Sequence, residues 1–222
     1  MEAEVCGAEK FEQAMKSLLM QKDYPCVAAL KSFFKKDFRL KKYSGFGEEH
    51  QRPRLRRDLL DYKADYLKSK SPYFTFWAIY ENAAELSEEQ FEQKLWRELS
   101  SLTSEELRAG DKDPNFSDDP EDKNFCFSLD GMAFFVVGLH PQSSRKSRQF
   151  PWPTLIFNVY EQFRQLEAQS LYQPMVKINR GRDLNFQGSA NPMAVRHNDD
   201  WEAIQFSGKN NPDSWKCPFH FR

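Results

Sequence analysis

The sequence lacks most of the short motifs that identify enzymes. Its 222 residues contain no phosphate-binding Gly-x-x-x-x-Gly-Lys loop, no dinucleotide Gly-x-Gly-x-x-Gly turn, no Gly-x-Ser-x-Gly elbow and no His-Glu-x-x-His helix. These absences argue against P-loop nucleotidases, dinucleotide-dependent dehydrogenases, α/β-hydrolases of the usual kind and zinc peptidases.

The sequence also lacks membrane-spanning stretches and an excess of one charge. No apolar run is long enough to cross a bilayer, and the N-terminus has no apolar signal-peptide core. Lys and Arg number 32 against 33 Asp and Glu, so no overall basic field favours nucleic acid. The four cysteines are widely spaced, which favours reduced thiols. We therefore expect a cytoplasmic protein without a membrane partner.

Aromatic residues, in contrast, are abundant. The chain has 20 phenylalanines, and charged residues make up 29% of it. This mixture is typical of a folded protein with an aromatic interior rather than of a disordered chain. Because no stretch resembles a flexible linker, residues 1–222 are predicted to form a single domain.

The pattern of elements predicts an α+β fold. Two β-rich runs, Asn124–Leu129 and Met132–Leu139, are joined by Asp130-Gly131, a pair typical of the type I′ hairpin turn. Residues 72–80 and Thr154–Phe157 predict two further strands. We expect a largely antiparallel sheet built on this hairpin, with helices flanking it.

Helix starts are marked by polar side chains. Ser87 stands three residues before Gln90, the arrangement of a capping box, and residues 53–69 show one apolar helix face. Asn158, with Glu161 three residues later, is predicted to cap another helix in the same way.

The most unusual segment runs from the end of the second hairpin strand. His140 follows that strand directly, and Arg145, Lys146 and Arg148 come next among serines. A histidine at a strand end and a basic, hydroxyl-rich loop can bind a metal or an anionic ligand. The alternatives are a histidine that merely ends the strand, a loop that faces solvent, or a loop that binds phosphate or nucleic acid.

Two other metal signals are weak. The acidic loop at residues 111–122 lacks the Asp-x-Asp-x-Asn-Gly pattern of a calcium loop. Cys217-Pro-Phe-His220 has the spacing of only half a zinc site.

Over most of its length the chain resembles the YqcI/YcgG family. The residues that carry the resemblance are Tyr24-Pro-Cys26, the run from Phe125 to Pro141, Ser143-Ser-Arg145, the run from Phe150 to Asn158, Glu161-Gln-Phe163, Arg180-Gly-Arg-Asp183, Gln187-Gly188, Asn191-Pro-Met193, Gln205-Phe-Ser-Gly208 and Trp215-Lys-Cys-Pro-Phe219. Tyr160 and Ile204 depart from the family's pattern, which leads us to expect histidine and arginine there.

The resemblance implies an activity, since some members of the family are heme-dependent N-hydroxylases of guanidino compounds. We accordingly expect a heme-dependent oxygenase that hydroxylates arginine or a related small guanidino molecule with electrons from a separate donor. The competing hypotheses are a non-catalytic heme or small-molecule binding protein, and a phosphate- or nucleic-acid-binding module that uses the basic loop.

The same resemblance gives the candidate site residues their roles. His140 is predicted to be the axial ligand of the heme iron, with Cys217 and His197 as alternatives. Arg145 and Arg148 are predicted to anchor the heme propionates, because a planar guanidinium pairs well with a carboxylate.

Overall fold

A computed structural model describes residues 2–81, 84–103, 108–189, 191, 202–212 and 214–220. This part of the chain contains seven α-helices and five β-strands. The helices are α1 (Glu2–Leu19), α2 (Val27–Lys35), α3 (Arg52–Ser69), α4 (Glu88–Ser101), α5 (Arg108–Asp111), α6 (Glu161–Ala168) and α7 (Tyr172–Gln187). The strands are β1 (Phe38–Tyr43), β2 (Thr75–Tyr80), β3 (Phe127–Leu129), β4 (Met132–Leu139) and β5 (Thr154–Val159). Short 3-10 turns occupy Glu49–Gln51, Lys146–Arg148 and Glu202–Gln205.

The five strands form one sheet in the order β1-β2-β5-β4-β3. β1 pairs with β2 in parallel, whereas the other three pairings are antiparallel. The long helix α3 connects β1 to β2, because parallel neighbours cannot be joined by a tight turn. The predicted α+β class and the largely antiparallel sheet are therefore confirmed.

The hairpin of β3 and β4 turns as the sequence predicts. Asp130 and Gly131 have φ values of 50° and 71°, and type I′ turns require positive φ at both central positions. Since β3 is only three residues long, the second half of β4 has no strand on its outer side. The backbone of Phe206 covers it there, and its carbonyl accepts a bond of 2.7 Å from the Gly138 amide.

Large aromatic side chains fill one face of the sheet. α3 and α4 pack on this face, and Gly138 allows α4 to come close: a Cβ at Gly138 would lie 2.6 Å from the Phe91 ring. The fully buried residues of this core include Tyr43, Tyr62, Phe76, Tyr80, Phe91, Trp96, Phe127, Phe134, Phe157 and Phe206.

The opposite face is covered by α1, α2, α6 and α7 in two smaller clusters. One gathers Phe11, Met15 and Leu18 of α1 around Trp77 and Ile156 of the sheet. The other contains Tyr73, Leu166 and Met175. Between these two clusters the side chains leave a gap above the sheet.

One predicted helix start is confirmed and another is wrong. Ser87 and Gln90 form the reciprocal capping box at α4, with bonds of 3.3 and 3.0 Å. Asn158 does not cap a helix, because β5 continues to Val159 and α6 begins at Glu161. Asn158 pairs with Phe135 across the sheet, and its side chain donates a bond of 3.1 Å to the Phe135 carbonyl. These contacts outweigh the local capping signal.

Within the described residues, no helix is both long and apolar enough to cross a membrane.

Candidate functional site

A cavity of about 290 Å³ opens between the two clusters on the less filled face. Its floor is the sheet, with Trp77, Val137 and Ile156 among the floor residues. α2 approaches this floor with the small side chains Ala28, Ala29 and Ser32, which cannot fill the space that larger residues fill on the other face. α6 and α7 complete the walls. The cavity is thus an apolar slot with polar groups at its margins, the usual character of a small-molecule site.

A guanidinium stands at one end of the cavity. The half-buried Arg148 donates from Nη1 to the Gly138 carbonyl at 3.0 Å and from Nη2 to the Gln205 carbonyl at 3.3 Å. In the described part of the chain these partners are neutral carbonyls, and no carboxylate forms an ion pair with Arg148. Burial lowers the pKa of Arg148 from its ordinary value. A carboxylate or phosphate of a ligand would supply the missing opposite charge.

A thiol lines the cavity close to this guanidinium. Cys26 is the N-cap residue of α2, and its Sγ accepts a bond of 3.4 Å from the Ala29 amide. Burial raises the pKa of Cys26, while the Ala29 amide and the charge of Arg148 act in the opposite direction. The sequence alone indicates no role for Cys26. The available signal was a cysteine after a proline at the start of an apolar helical run.

Arg145 is directed to a different partner. Its side chain is only 9% exposed, and Nη2 donates to Asp183 at 2.6 Å while Nη1 donates to the Ser189 hydroxyl at 3.2 Å. Arg145 is not among the residues that line the cavity. This ion pair joins the basic loop to α7.

His140 follows β4 directly, as expected, but its ring lies on the aromatic side of the sheet. Successive residues of a strand point to opposite faces, and the ring stacks on Phe91 with centroids 4.3 Å apart. Burial lowers the pKa of His140, and Nδ1 has no hydrogen-bond partner among the described residues. His140 does not line the cavity. Its role as an iron ligand stays a prediction.

The alternative ligand Cys217 lies outside the cavity. Cys217 packs against the aromatic core, where burial raises its pKa to about 12. His197 lies outside the described residues. Cys26, Cys126 and Cys217 are free thiols, and the part of the chain that the structure describes contains no group of three or more His, Cys, Asp or Glu placed to hold a metal ion.

The cavity also has an acidic, aromatic margin. Glu202 lines it, and its Oε1 accepts a bond of 3.1 Å from the Tyr160 hydroxyl. Phe135, Phe163 and Tyr172 line the cavity as well. Of the two positions at which the sequence departs from the expected pattern, Tyr160 therefore contacts this margin through Glu202, whereas Ile204 is buried in the aromatic core.

Comparison with known proteins gives two matches. The sequence model of the YqcI/YcgG family matches residues 11–220. Among curated proteins, the chain is similar to YcgG of Bacillus subtilis (strain 168), with 23% identity over 212 residues that cover 89% of this chain and 81% of that protein. No solved structure matches the chain.

Proposed function

The chain belongs to the YqcI/YcgG family, and from that premise we propose that it is a heme-dependent oxygenase that hydroxylates a guanidine nitrogen of arginine or a related small molecule. The observation that carries the proposal is the cavity of about 290 Å³, which combines an apolar floor with a thiol and a guanidinium at one end. The alternative function is that of a non-catalytic heme or small-molecule binding protein. Such a protein would need the same cavity, so only an experiment on activity distinguishes it from an oxygenase.

The donor groups that line the cavity suit a heme, although a porphyrin with its two propionates is larger than about 290 Å³ and would have to widen the slot. Cysteine thiolate is an established axial ligand of heme iron, and Cys26 is the thiol that lines the described cavity. Its raised pKa is no obstacle, because a coordinating metal deprotonates the thiol. Arg148 has the charge and the planar geometry to bind a propionate. We therefore propose Cys26 and Arg148 as the heme-holding residues, with His140 as the competing axial ligand.

The reaction defines what else is needed. One oxygen atom of O₂ enters an N–H bond and the other leaves as water, so two electrons and two protons must come from outside. Heme, when bound, supplies the activation of O₂, and a separate donor supplies the electrons. The apolar floor residues Trp77, Val137 and Ile156 lower the local dielectric of the slot, which strengthens the electrostatic contacts of a bound substrate.

The basic loop offers little to a nucleic acid. Arg145 is paired with Asp183, and Arg148 is bonded to backbone carbonyls, so the two arginines point into the protein. Of the three basic residues only Lys146 is exposed. No observation therefore favours the nucleic-acid-binding hypothesis.

The absorption spectrum of protein expressed with ample heme tests the proposal. We expect a Soret band, together with formation of an N-hydroxylated product from arginine when O₂ and a reductant are supplied. Colourless protein whose spectrum does not change during titration with hemin would contradict heme binding. A Soret band without turnover of any guanidino compound would favour the non-catalytic alternative.

Matched variants identify the ligand. Cys26→Ala should shift or remove the Soret band, whereas His140→Ala and Cys217→Ala should leave its position unchanged. A shifted band in His140→Ala with an unchanged band in Cys26→Ala would restore His140 as the ligand. Arg148→Met should weaken hemin affinity about tenfold, the loss of one charge-assisted contact, with the Soret position retained.

A further inference from the structure

Two of the helices that wall the cavity, α2 and α7, carry an excess of positive charge. Together they contain five Lys and Arg residues, and their one acid is Asp183. The charge of Asp183 is already balanced by its ion pair with Arg145. Because the whole chain has a formal net charge of -1, the excess on these two helices is local. A local basic field attracts an acidic surface even when the net charge of a protein is near zero.

The lysines of these two helices differ from the cations of α3 in their partners. On the opposite face of the sheet, cations of α3 pair with carboxylates, as Arg56 does with Asp111 at 3.0 Å. Within the described part of the chain, three exposed lysines of α2 and α7 form no ion pair with a carboxylate: Lys31, Lys35 and Lys177. Their charges are therefore available to a partner.

Tyr73 brings the lysines of α2 next to α7. Lys31 Nζ donates to the Tyr73 hydroxyl at 3.0 Å, and Lys35 Nζ lies 5.2 Å from the centre of the same ring. Tyr73 also packs in one cluster with Met175 of α7, and Lys177 follows two residues later. The basic positions of the two helices thus belong to one surface above the cavity.

Exposed apolar side chains are concentrated on the same two helices. Among the described residues six large hydrophobic side chains are exposed, and four of them lie on α2, on α7 or at the N-cap of α7: Phe34, Leu171, Ile178 and Leu184. Phe34 is 70% exposed. Apolar side chains among unpaired cations are typical of a surface that binds another protein, because the charges steer the encounter and the apolar groups supply contact area.

We propose that α2 and α7 dock a small acidic redox protein, which donates the electrons of the reaction. The residues of this docking surface are Lys31, Phe34, Lys35, Lys177 and Ile178. The inference rests on the proposed function, in which each turnover takes two electrons from a separate donor and two protons from water. A donor that carries one electron therefore docks twice in each turnover.

The position of α2 explains why a donor would dock there. Ala28 and Ser32 of this helix line the cavity, so a protein on its outer side lies about 10 Å away, one helix diameter. Electron transfer slows steeply with distance. On the opposite face the sheet and the aromatic core stand between the surface and the cavity, so the α2 side is the shorter route.

Calorimetric titration with an acidic plant-type [2Fe–2S] ferredoxin tests the surface without any need for turnover. We expect binding that weakens at least fivefold when the salt concentration is raised from about 20 mM to about 300 mM, because salt screens exposed charges. Cytochrome c, a basic redox protein of similar size, should not bind. Absence of ferredoxin binding at low salt, or equal binding of both probes, would overturn the proposal. Binding of phosphatidylserine vesicles or of DNA in place of ferredoxin would also overturn it.

Charge reversals locate the surface. The double variant Lys31→Glu, Lys35→Glu should weaken ferredoxin binding about tenfold, because two attractive contacts become repulsive. Lys68→Glu changes an exposed lysine of α3 on the opposite face and should alter the affinity less than about twofold. Unchanged affinity in the double variant would overturn the assignment. If that variant does not fold, Lys177→Glu decides the question, with an expected loss of about threefold.

A second pair of variants tests the apolar contact. Phe34→Ser should weaken ferredoxin binding about three- to fivefold through loss of buried apolar area. Leu67→Ser is the matched control, since Leu67 is a 51% exposed side chain of α3. Equal effects of the two substitutions would place the partner elsewhere and overturn the proposal.

The Soret band separates this inference from the proposed function. The double variant should keep the wild-type Soret band, because neither Lys31 nor Lys35 lines the cavity. A heme protein that ferredoxin binds and reduces equally well with and without the two charge reversals would refute the surface and leave the heme proposal intact. Colourless protein that binds ferredoxin through Lys31 and Lys35 would refute the heme proposal and support the docking surface.

Discussion

The helices on the two sides of the sheet meet it with side chains of very different size. α4 brings Phe91 and Trp96 to one face, whereas α2 brings Ala28 and Ala29 to the other. The first face is closed by interlocking rings, and the second retains a cavity of about 290 Å³. The position of the candidate site is thus decided by where small residues oppose the sheet.

The difference between the two faces of the sheet also separates residues that are close in sequence. His140 and Arg148 belong to one loop, yet the His140 ring stacks on Phe91 of the closed face while Arg148 lines the cavity. Closeness to an unusual motif was therefore a poor guide to membership of the site. The direction in which each side chain leaves the backbone was decisive.

The largest expected effect comes from two adjacent phenylalanines of β4. Phe134 is fully buried in the closed face, whereas Phe135 is half-buried and lines the cavity. Phe134→Ala should lower the free energy of unfolding by about 3–5 kcal/mol, because it leaves a void in a close-packed core. Phe135→Ala should cost about 1–2 kcal/mol, since water and ligand already have access to its ring. Urea denaturation of both variants measures the difference, and equal losses would show that the two faces are packed alike.

A pH effect of intermediate size is expected from a buried carboxyl in the closed face. Burial raises the pKa of Glu98 to about 7 from an ordinary 4.5. Between these values the folded protein holds a proton that the unfolded chain has released, so stability falls as the pH rises from about 4.5 to about 7. Glu98→Gln removes this dependence, and its stability relative to the wild type should rise by on the order of 3 kcal/mol across that range.

Unfolding titrations at a series of pH values measure this change. The exposed residue Glu85 provides the control, since Glu85→Gln should follow the wild type at every pH. A Glu98→Gln variant that runs parallel to the wild type would show that this carboxyl is not a buried, protonated group near neutral pH.

The smallest change in stability is expected from two alanines enlarged to leucine. Ala78→Leu adds volume to the closed face, where Ala78 is fully buried, and should cost about 1–3 kcal/mol through overpacking. Ala29→Leu adds the same volume to the cavity wall and should change stability by less than about 1 kcal/mol. It should nevertheless weaken binding of hemin or L-arginine, because it occupies ligand space. Thermal unfolding and titration calorimetry together check the pair, and normal binding by Ala29→Leu would remove the cavity from consideration.

Local signals in the sequence predicted local structure well. The capping box of Ser87 and the Asp130-Gly131 turn both rest on backbone geometry within four residues, and both are present. β1 was not predicted, because Arg39, Lys41 and Lys42 make Phe38–Tyr43 look like a polar connection. A strand at the edge of a sheet tolerates such charges, which discourage pairing with other chains.

The cavity was beyond the reach of local patterns. Its lining comes from positions as distant as Met15 and Gln205, and these meet only when the helices pack on the sheet. The sequence did single out Arg148, since a cation beside a buried strand is chemically conspicuous. Cys26 and Phe163 belong to stretches that carry the family resemblance, but no local pattern marks them or Glu202 as site residues, and only the tertiary arrangement brings the three to one cavity.

The cover on the outer side of β4 has a consequence for synthesis of the protein. The Gly138 amide and carbonyl are satisfied by Phe206 and Arg148, and Phe206 is made long after the strand that it protects. A nascent chain that ends before residues 203–208 therefore exposes unpaired backbone groups along an apolar strand, a template for pairing with neighbouring chains. Chains truncated before this segment should aggregate on the ribosome or soon after release, even though the five-stranded sheet is already complete.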